Sequence, residues 1–109
     1  MITWNDFEKI DMRVGTVLEA RELREARKPA YTLRIDFGPL GIKSSSAQIT
    51  HYYKPESLIG RQVIAVVNFP AKRIAGFMSE CLVLGIYDEN NNVVLLQPQQ
   101  QVSNGMKIG

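Results

Sequence analysis

Apolar and polar residues alternate most cleanly from Tyr31 to Phe37. Tyr31, Leu33, Ile35 and Phe37 point one way, and Thr32, Arg34 and Asp36 the other. A period of two predicts a half-buried strand. Arg13 to Leu23 predicts a longer strand whose imperfect alternation suits curling around a small barrel, with Gly15 marking a bulge or sharp bend. Gln62 to Phe69 is apolar on both faces and predicts a central strand. Ile42 to Ile49 predicts a further strand that carries the serine triplet Ser44, Ser45 and Ser46. Cys81 to Tyr87 and Val93 to Gln97 flank an Asn-rich stretch, Asp88 to Asn92, which predicts a hairpin loop because Asn tolerates positive φ.

Helical signals are short. Thr3 followed by Asp6 predicts a helix start, with Trp4 to Lys9 as the helix and Trp4 and Phe7 on one face. His51 to Ile59 predicts a second segment, begun by Pro55 and ended by Gly60. The charged run Arg21 to Lys28 reads as a strand end and then a loop, stopped by Pro29. Gly38-Pro39-Leu40-Gly41 and Asn104-Gly105 predict turns, and Ile108 is placed to tuck onto the body or onto a second subunit. Short strands around one central helix predict an all-β class, a five-stranded OB-fold barrel.

The chain has 109 residues, 45% hydrophobic and 22% charged, which suits one globular domain spanning 1–109. A core this small makes dimerisation plausible. One cysteine, Cys81, excludes an intrachain disulfide, and a single His and Cys argue against structural zinc. The N-terminal segment has early acids and no apolar signal-peptide core, and no apolar run approaches the roughly 20 residues of a membrane span. The expectation is a reducing cytoplasmic setting, without membrane insertion. No catalytic or phosphate-cradling motif occurs, so the chain reads as a binding protein rather than an enzyme, with no cofactor and no metal.

The richest stretch for binding is Asn68 to Gly85, NFPAKRIAGFMSECLVLG. Lys72 and Arg73 suit phosphate contacts or a solvated hairpin tip. Ser44, Ser45, Ser46 and Gln48 suit hydrogen bonds to a ligand backbone, or a polar edge that resists aggregation. Ile74, Phe77 and Met78, with Tyr52 and Tyr53, suit either an adaptable apolar groove or barrel core. His51 could stack on a base or sit idle at the surface. Cys81 opens an apolar strand and reads as a buried small hydrophobe.

These segments resemble the tRNA-binding OB domains found at the ends of several aminoacyl-tRNA synthetases and in free-standing dimers. The resemblance runs through DFEKIDMRVGTVLEA, YYKPESLIG, QVIAVVNFPAKRIAGFMSECLVLG, VVLLQP and NGMKIG. Within the family, SSAQIT and the NFP, RIAGF and SE pieces are similar to a branch of small export-related chaperones. The resemblance implies peptide or RNA binding at Asn68, Lys72, Arg73, Ser79 and Glu80. It also implies a homodimer built from the two terminal segments, here Trp4, Phe7 and Met12 with Val102, Met106 and Ile108. The partners it implies are unfolded or precursor polypeptides, tRNA and the protein-translocation machinery. Ala75 stands where many tRNA-binding members carry a further cation, and that change favours a peptide ligand.

Overall fold

A computed structural model describes residues 1–109. The chain begins with α1 (Trp4–Glu8). The Thr3 hydroxyl accepts the Asp6 N–H at 3.3 Å, and the Asp6 carboxylate accepts the Thr3 N–H at 3.0 Å. Five residues are too few to hold a helix unaided, so this reciprocal cap matters.

Three strands follow, β1 (Met12–Glu22), β2 (Tyr31–Asp36) and β3 (Ile42–Ala47), then α2 (Pro55–Leu58) and β4 (Gln62–Val66). A hairpin of β5 (Lys72–Ile74) and β6 (Phe77–Ser79) precedes β7 (Leu82–Val83), and a second hairpin pairs β8 (Gly85–Tyr87) with β9 (Val93–Leu95). The main sheet is antiparallel and five-stranded, in the order β3-β2-β1-β4-β7. It is the OB-type barrel that the alternation predicts, with α2 between the third and fourth barrel strands.

β1 makes the curvature. Its first half pairs with β4 and its second half with β2. The register slips between Val17 and Glu19, so the bulge lies at Leu18 and not at the expected Gly15. Gly15 has a different role. A Cβ there would lie 2.6 Å from Ile35 Cγ2 and 2.8 Å from the Phe37 ring, so its absence lets β1 cross tightly over the core. Val17, Leu33, Ile35, Phe37, Leu58 and Val63 are sealed inside.

Three other expectations change. The second helix is only α2, because the residues before it are held by tertiary bonds. The Tyr31 hydroxyl donates to the Tyr53 carbonyl at 2.7 Å, and the Tyr53 hydroxyl accepts the Leu95 N–H at 2.9 Å. The strand expected over 81–87 divides into β7 and β8, with the Leu84 N–H returning to the Ile64 carbonyl between them. The central strand stops at Val66, where the Asn68 side chain takes over the turn.

The barrel closes largely through side chains. No continuous ladder joins β3 to the chain segment opposite it. Instead the Ser45 hydroxyl donates to the Cys81 carbonyl at 2.9 Å, and the Ser46 N–H donates to the Ser79 hydroxyl at 3.1 Å. The Ser44 N–H donates to the Glu80 carboxylate at 2.9 Å, and the Glu80 N–H donates to the Ser44 carbonyl at 2.7 Å. Ser45 is fully buried, the only buried polar or charged side chain.

The C-terminal segment is fastened to β1 and β4. Gln62 holds both the Val102 N–H and its carbonyl, Arg13 donates to the Gly105 carbonyl, and the Thr16 hydroxyl donates to Asn104. Gly105 takes φ +90° at the expected turn, and the Ile108 N–H reaches the Met12 carbonyl at 2.9 Å.

Ser45→Ala removes a sealed hydrogen bond and leaves the Cys81 carbonyl without that donor. It is expected to destabilise the fold by about 1–3 kcal/mol in urea unfolding. Ser44→Ala, whose hydroxyl takes no part in the seam, is expected to change stability by no more than about 0.5 kcal/mol. Equal effects would remove the seam's special standing.

Candidate functional site

The hairpin β5–β6 and the apolar turn before it project from the end of β4. Asn68 sets their exit. Its side-chain oxygen accepts the Asp11 N–H at 2.9 Å and its amide donates to the Lys9 carbonyl at 2.7 Å. Both ends of the exposed Asn68 amide therefore tie α1 and β1 to β4, each through one bond, which leaves one N–H and one lone pair toward solvent.

Beyond it, Phe69 is 55% exposed, and Pro70 and Ala71 are also exposed. In the hairpin, Lys72 faces Ser79, Arg73 faces Met78 and Ile74 faces Phe77. Alternation puts Lys72, Ile74, Phe77 and Ser79 on one face and Arg73 and Met78 on the other. The adjacent cations thus diverge. Lys72 borders a groove, while Arg73 curls toward the Gly76 carbonyl of its own turn at 3.3 Å. Ala75 and Gly76 form that turn with φ of +49° and +80°.

The groove has a volume of about 510 Å³. Phe69, Pro70, Ala71, Ile74 and Leu82 supply its apolar lining, and Ser46, Ser79, Glu80 and Cys81 of the barrel seam supply the rest with Lys72. The expected site residues Ser46, Lys72, Ile74, Ser79 and Glu80 therefore meet in one place. Ser45 does not join them; it is inside the barrel with its hydroxyl engaged.

A second depression, of about 370 Å³, lies on the outer face of β1–β3. Cross-strand register aligns Glu19, Arg34 and Ser44 in one row and Arg21, Thr32 and Ser46 in the next. Phe77 lies against these rows, and the Arg34 guanidinium is 4.0 Å from the Glu19 carboxylate. The loop between β1 and β2 adds exposed Arg24, Arg27 and Lys28. Arg21, Thr32 and Arg34 were not among the expected site residues. Their signal is the polar half of the same alternation that marks the core.

His51, Tyr52 and Tyr53 do not line either depression. The Tyr52 hydroxyl donates to the Asp88 carboxylate of the β8–β9 loop, and His51 stacks edge-on against Tyr52 at 4.7 Å. That bond pushes the Tyr52 phenol pKa up and holds the Asp88 carboxyl below its usual range. Tyr53 packs against the core with Arg61 over its ring at 5.4 Å. Gln48 and Met78 are exposed outside both linings.

The residues expected at a subunit interface divide. Trp4, Phe7 and Ile108 meet with Ile10 in a third, apolar depression of about 510 Å³, where Trp4 is 75% exposed. Met12 and Val102 are half-buried beside it in sequence but outside its lining, and Met106 is exposed. No group of three or more His, Cys, Asp or Glu side chains is gathered as a metal would require. No helix is long and apolar enough to cross a membrane.

A nearly closed five-stranded barrel, with cationic loops flanking one face, defines an OB-fold domain. The model of the family described as a putative tRNA binding domain matches residues 12–107, and the chain belongs to that family. It is similar to the chaperone CsaA of Bacillus anthracis, at 59% identity and TM-score 0.95, over 100% of this chain and 99% of that one. It is also similar to the CsaA chaperone protein of Picrophilus torridus, at 54% identity and TM-score 0.94, over 100% of both chains. A methionine–tRNA ligase of Methanococcoides burtonii is 32% identical over 108 residues, which are 99% of this chain and 16% of that protein. The chain thus spans only a small fraction of the curated relatives it matches, and it is a CsaA-like member of the tRNA-binding domain family.

Cys81 tests the seam chemically. Burial raises its thiol pKa from 9.0 to about 11. The folded state therefore keeps a proton that the unfolded chain releases near pH 9, so this thiol's contribution to stability declines as pH rises from about 9 to about 11. Iodoacetamide at pH 8 is expected to leave Cys81 unmodified in the native protein and to alkylate it in urea. Fast native alkylation would show the seam open.

Proposed function

We propose that the protein is a homodimeric chaperone that holds unfolded or export-bound polypeptides without altering them, and that it also binds tRNA. The observation that carries the chaperone reading is the apolar lining of the seam groove. Phe69, Ile74 and Leu82 offer side-chain contacts, while Lys72 and Glu80 leave polar groups beside an extended backbone. A groove of this kind accepts many sequences, as a holding protein must. The close likeness to proteins described as CsaA chaperones supports the same reading. In it, the protein works in the cytoplasm, needs no cofactor, performs no chemical step and passes precursors to the translocation machinery.

The subunit contact in this reading is the apolar depression of Trp4, Phe7, Ile10 and Ile108, with Met12, Val102 and Met106 around it. Two copies would double the grooves available to one long client and raise avidity. A different observation favours tRNA as the second ligand. Arg21, Arg24, Arg27, Lys28 and Arg34 belong to the first loop and the outer sheet, and Lys72 and Arg73 to the hairpin. Strands 2–3 and these two loops are the usual nucleic-acid surface of an OB barrel.

At stoichiometric ratio the protein is expected to suppress aggregation of a thermally unfolding client. Leu82→Asp, at a 48% exposed position, is expected to raise the protein needed by about tenfold. Undiminished protection would remove the groove from the mechanism. Sedimentation at micromolar concentration is expected to give a dimer, and Trp4→Asp a monomer. A monomeric parent protein would exclude the shared-client model.

For tRNA, affinity is expected to fall steeply with salt. Replacing Lys72 and Arg73 together with Ala is expected to reduce the slope of log K against log salt by about 1–2. An unchanged slope would place the phosphate contacts elsewhere.

A further inference from the structure

We infer that the depression beneath Phe77, on the outer face of β1–β3, is a subsite for one unpaired RNA nucleotide, with guanine the preferred base. This rests on the RNA reading above and names what part of the RNA that face takes.

Four observations support it. Phe77 is the only aromatic side chain in the lining and is half-buried, so part of its ring is open to a planar ligand. A base inside a duplex has both faces covered by its neighbours, so only an unpaired base can stack there. Arg21 makes no ion pair and stands beside the space, where it suits the phosphate of the bound nucleotide. Thr32 and Ser44 present hydroxyls that no other protein group engages, in the position to meet a ribose hydroxyl.

The base preference comes from Glu19 and Arg34. They are cross-strand partners, with the carboxylate and guanidinium 4.0 Å apart. Together they offer an acceptor beside donors. Guanine alone among the four RNA bases presents two adjacent N–H donors next to a carbonyl oxygen on one edge. The carboxylate can take both N–H groups, and the guanidinium can take the oxygen. Adenine and cytosine reverse the order of donor and acceptor, and uracil has a single N–H. The hairpin that carries Phe77 is fixed over this face through Ser79 and Glu80, so the platform is in place before a ligand arrives.

The test uses the full chain and fluorescence anisotropy with labelled pentamers UUGUU and UUAUU, alongside an intact tRNA. UUGUU is expected to bind more tightly than UUAUU. Phe77→Ala is expected to weaken UUGUU by about tenfold without changing the salt slope, and Phe77→Tyr to restore it. Glu19→Gln, at a half-exposed position away from the core, is expected to abolish the preference for UUGUU while sparing UUAUU. Unchanged UUGUU affinity in a folded Phe77→Ala protein, or equal binding of the two pentamers by the parent protein, would overturn the subsite. If tRNA still bound with a salt dependence in that case, the RNA reading would stand and only the subsite would fall. Absence of all RNA binding would end both.

Discussion

The structure depends on a seam of side-chain hydrogen bonds between β3 and residues 79–81. A strand ladder would close the barrel with backbone groups alone. Here serine hydroxyls and a carboxylate complete the closure, and Ser45 reaches the Cys81 carbonyl inside the core. A sealed hydroxyl of this kind is favourable only when its partner is in place, because leaving it unpaired is expensive. The seam therefore fixes more than the barrel. It sets where the β5–β6 hairpin begins and ends, and so where Lys72, Ile74 and Phe77 stand.

Two surfaces follow from that placement. One face of the hairpin borders an apolar groove along the seam, and its Phe77 end lies over the polar outer face of β1–β3. The same short ribbon separates an apolar surface from an ionic one. Asn68 fixes the other end of the arm by joining α1, β1 and β4 through one side chain. The terminal segments are fastened separately, by Gln62, Arg13 and Thr16, and they frame the apolar depression around Trp4. In the proposed function, polymer contact and subunit contact fall to different parts of one small domain.

Much of this was legible in the residues. The period-two alternation from Tyr31 to Phe37, which is β2 and the residue after it, reports burial almost residue for residue, because a sheet with one face in the core has no other way to arrange seven alternating side chains. The Thr3–Asp6 cap and the turn at Asn104-Gly105 are local signals, and local geometry decides them. What escaped was set at long range. Gly15 reads as a bulge or sharp bend; the register slip lies at Leu18, and the missing Cβ of Gly15 gives room to Ile35 and Phe37. Lys72 and Arg73 are adjacent in sequence, and only the hairpin register shows that they face apart. The serines read as ligand contacts or as a polar edge, and nothing in a single strand tells that the partner of Ser45 lies 36 residues on. Arg21, Thr32 and Arg34 were visible as polar positions, yet their shared face needs the register of three strands.

We propose that one face, organised by the seam-held hairpin, grips an extended polymer. Backbone amide shifts from NMR, recorded as an unfolded polypeptide is titrated in, test this most directly. The expected result is a set of shifts at residues 69–82 and at Ser44 and Ser46, with the loop 88–92 and residues 97–101 silent. Shifts concentrated in those two silent regions, with the hairpin unmoved, would contradict it.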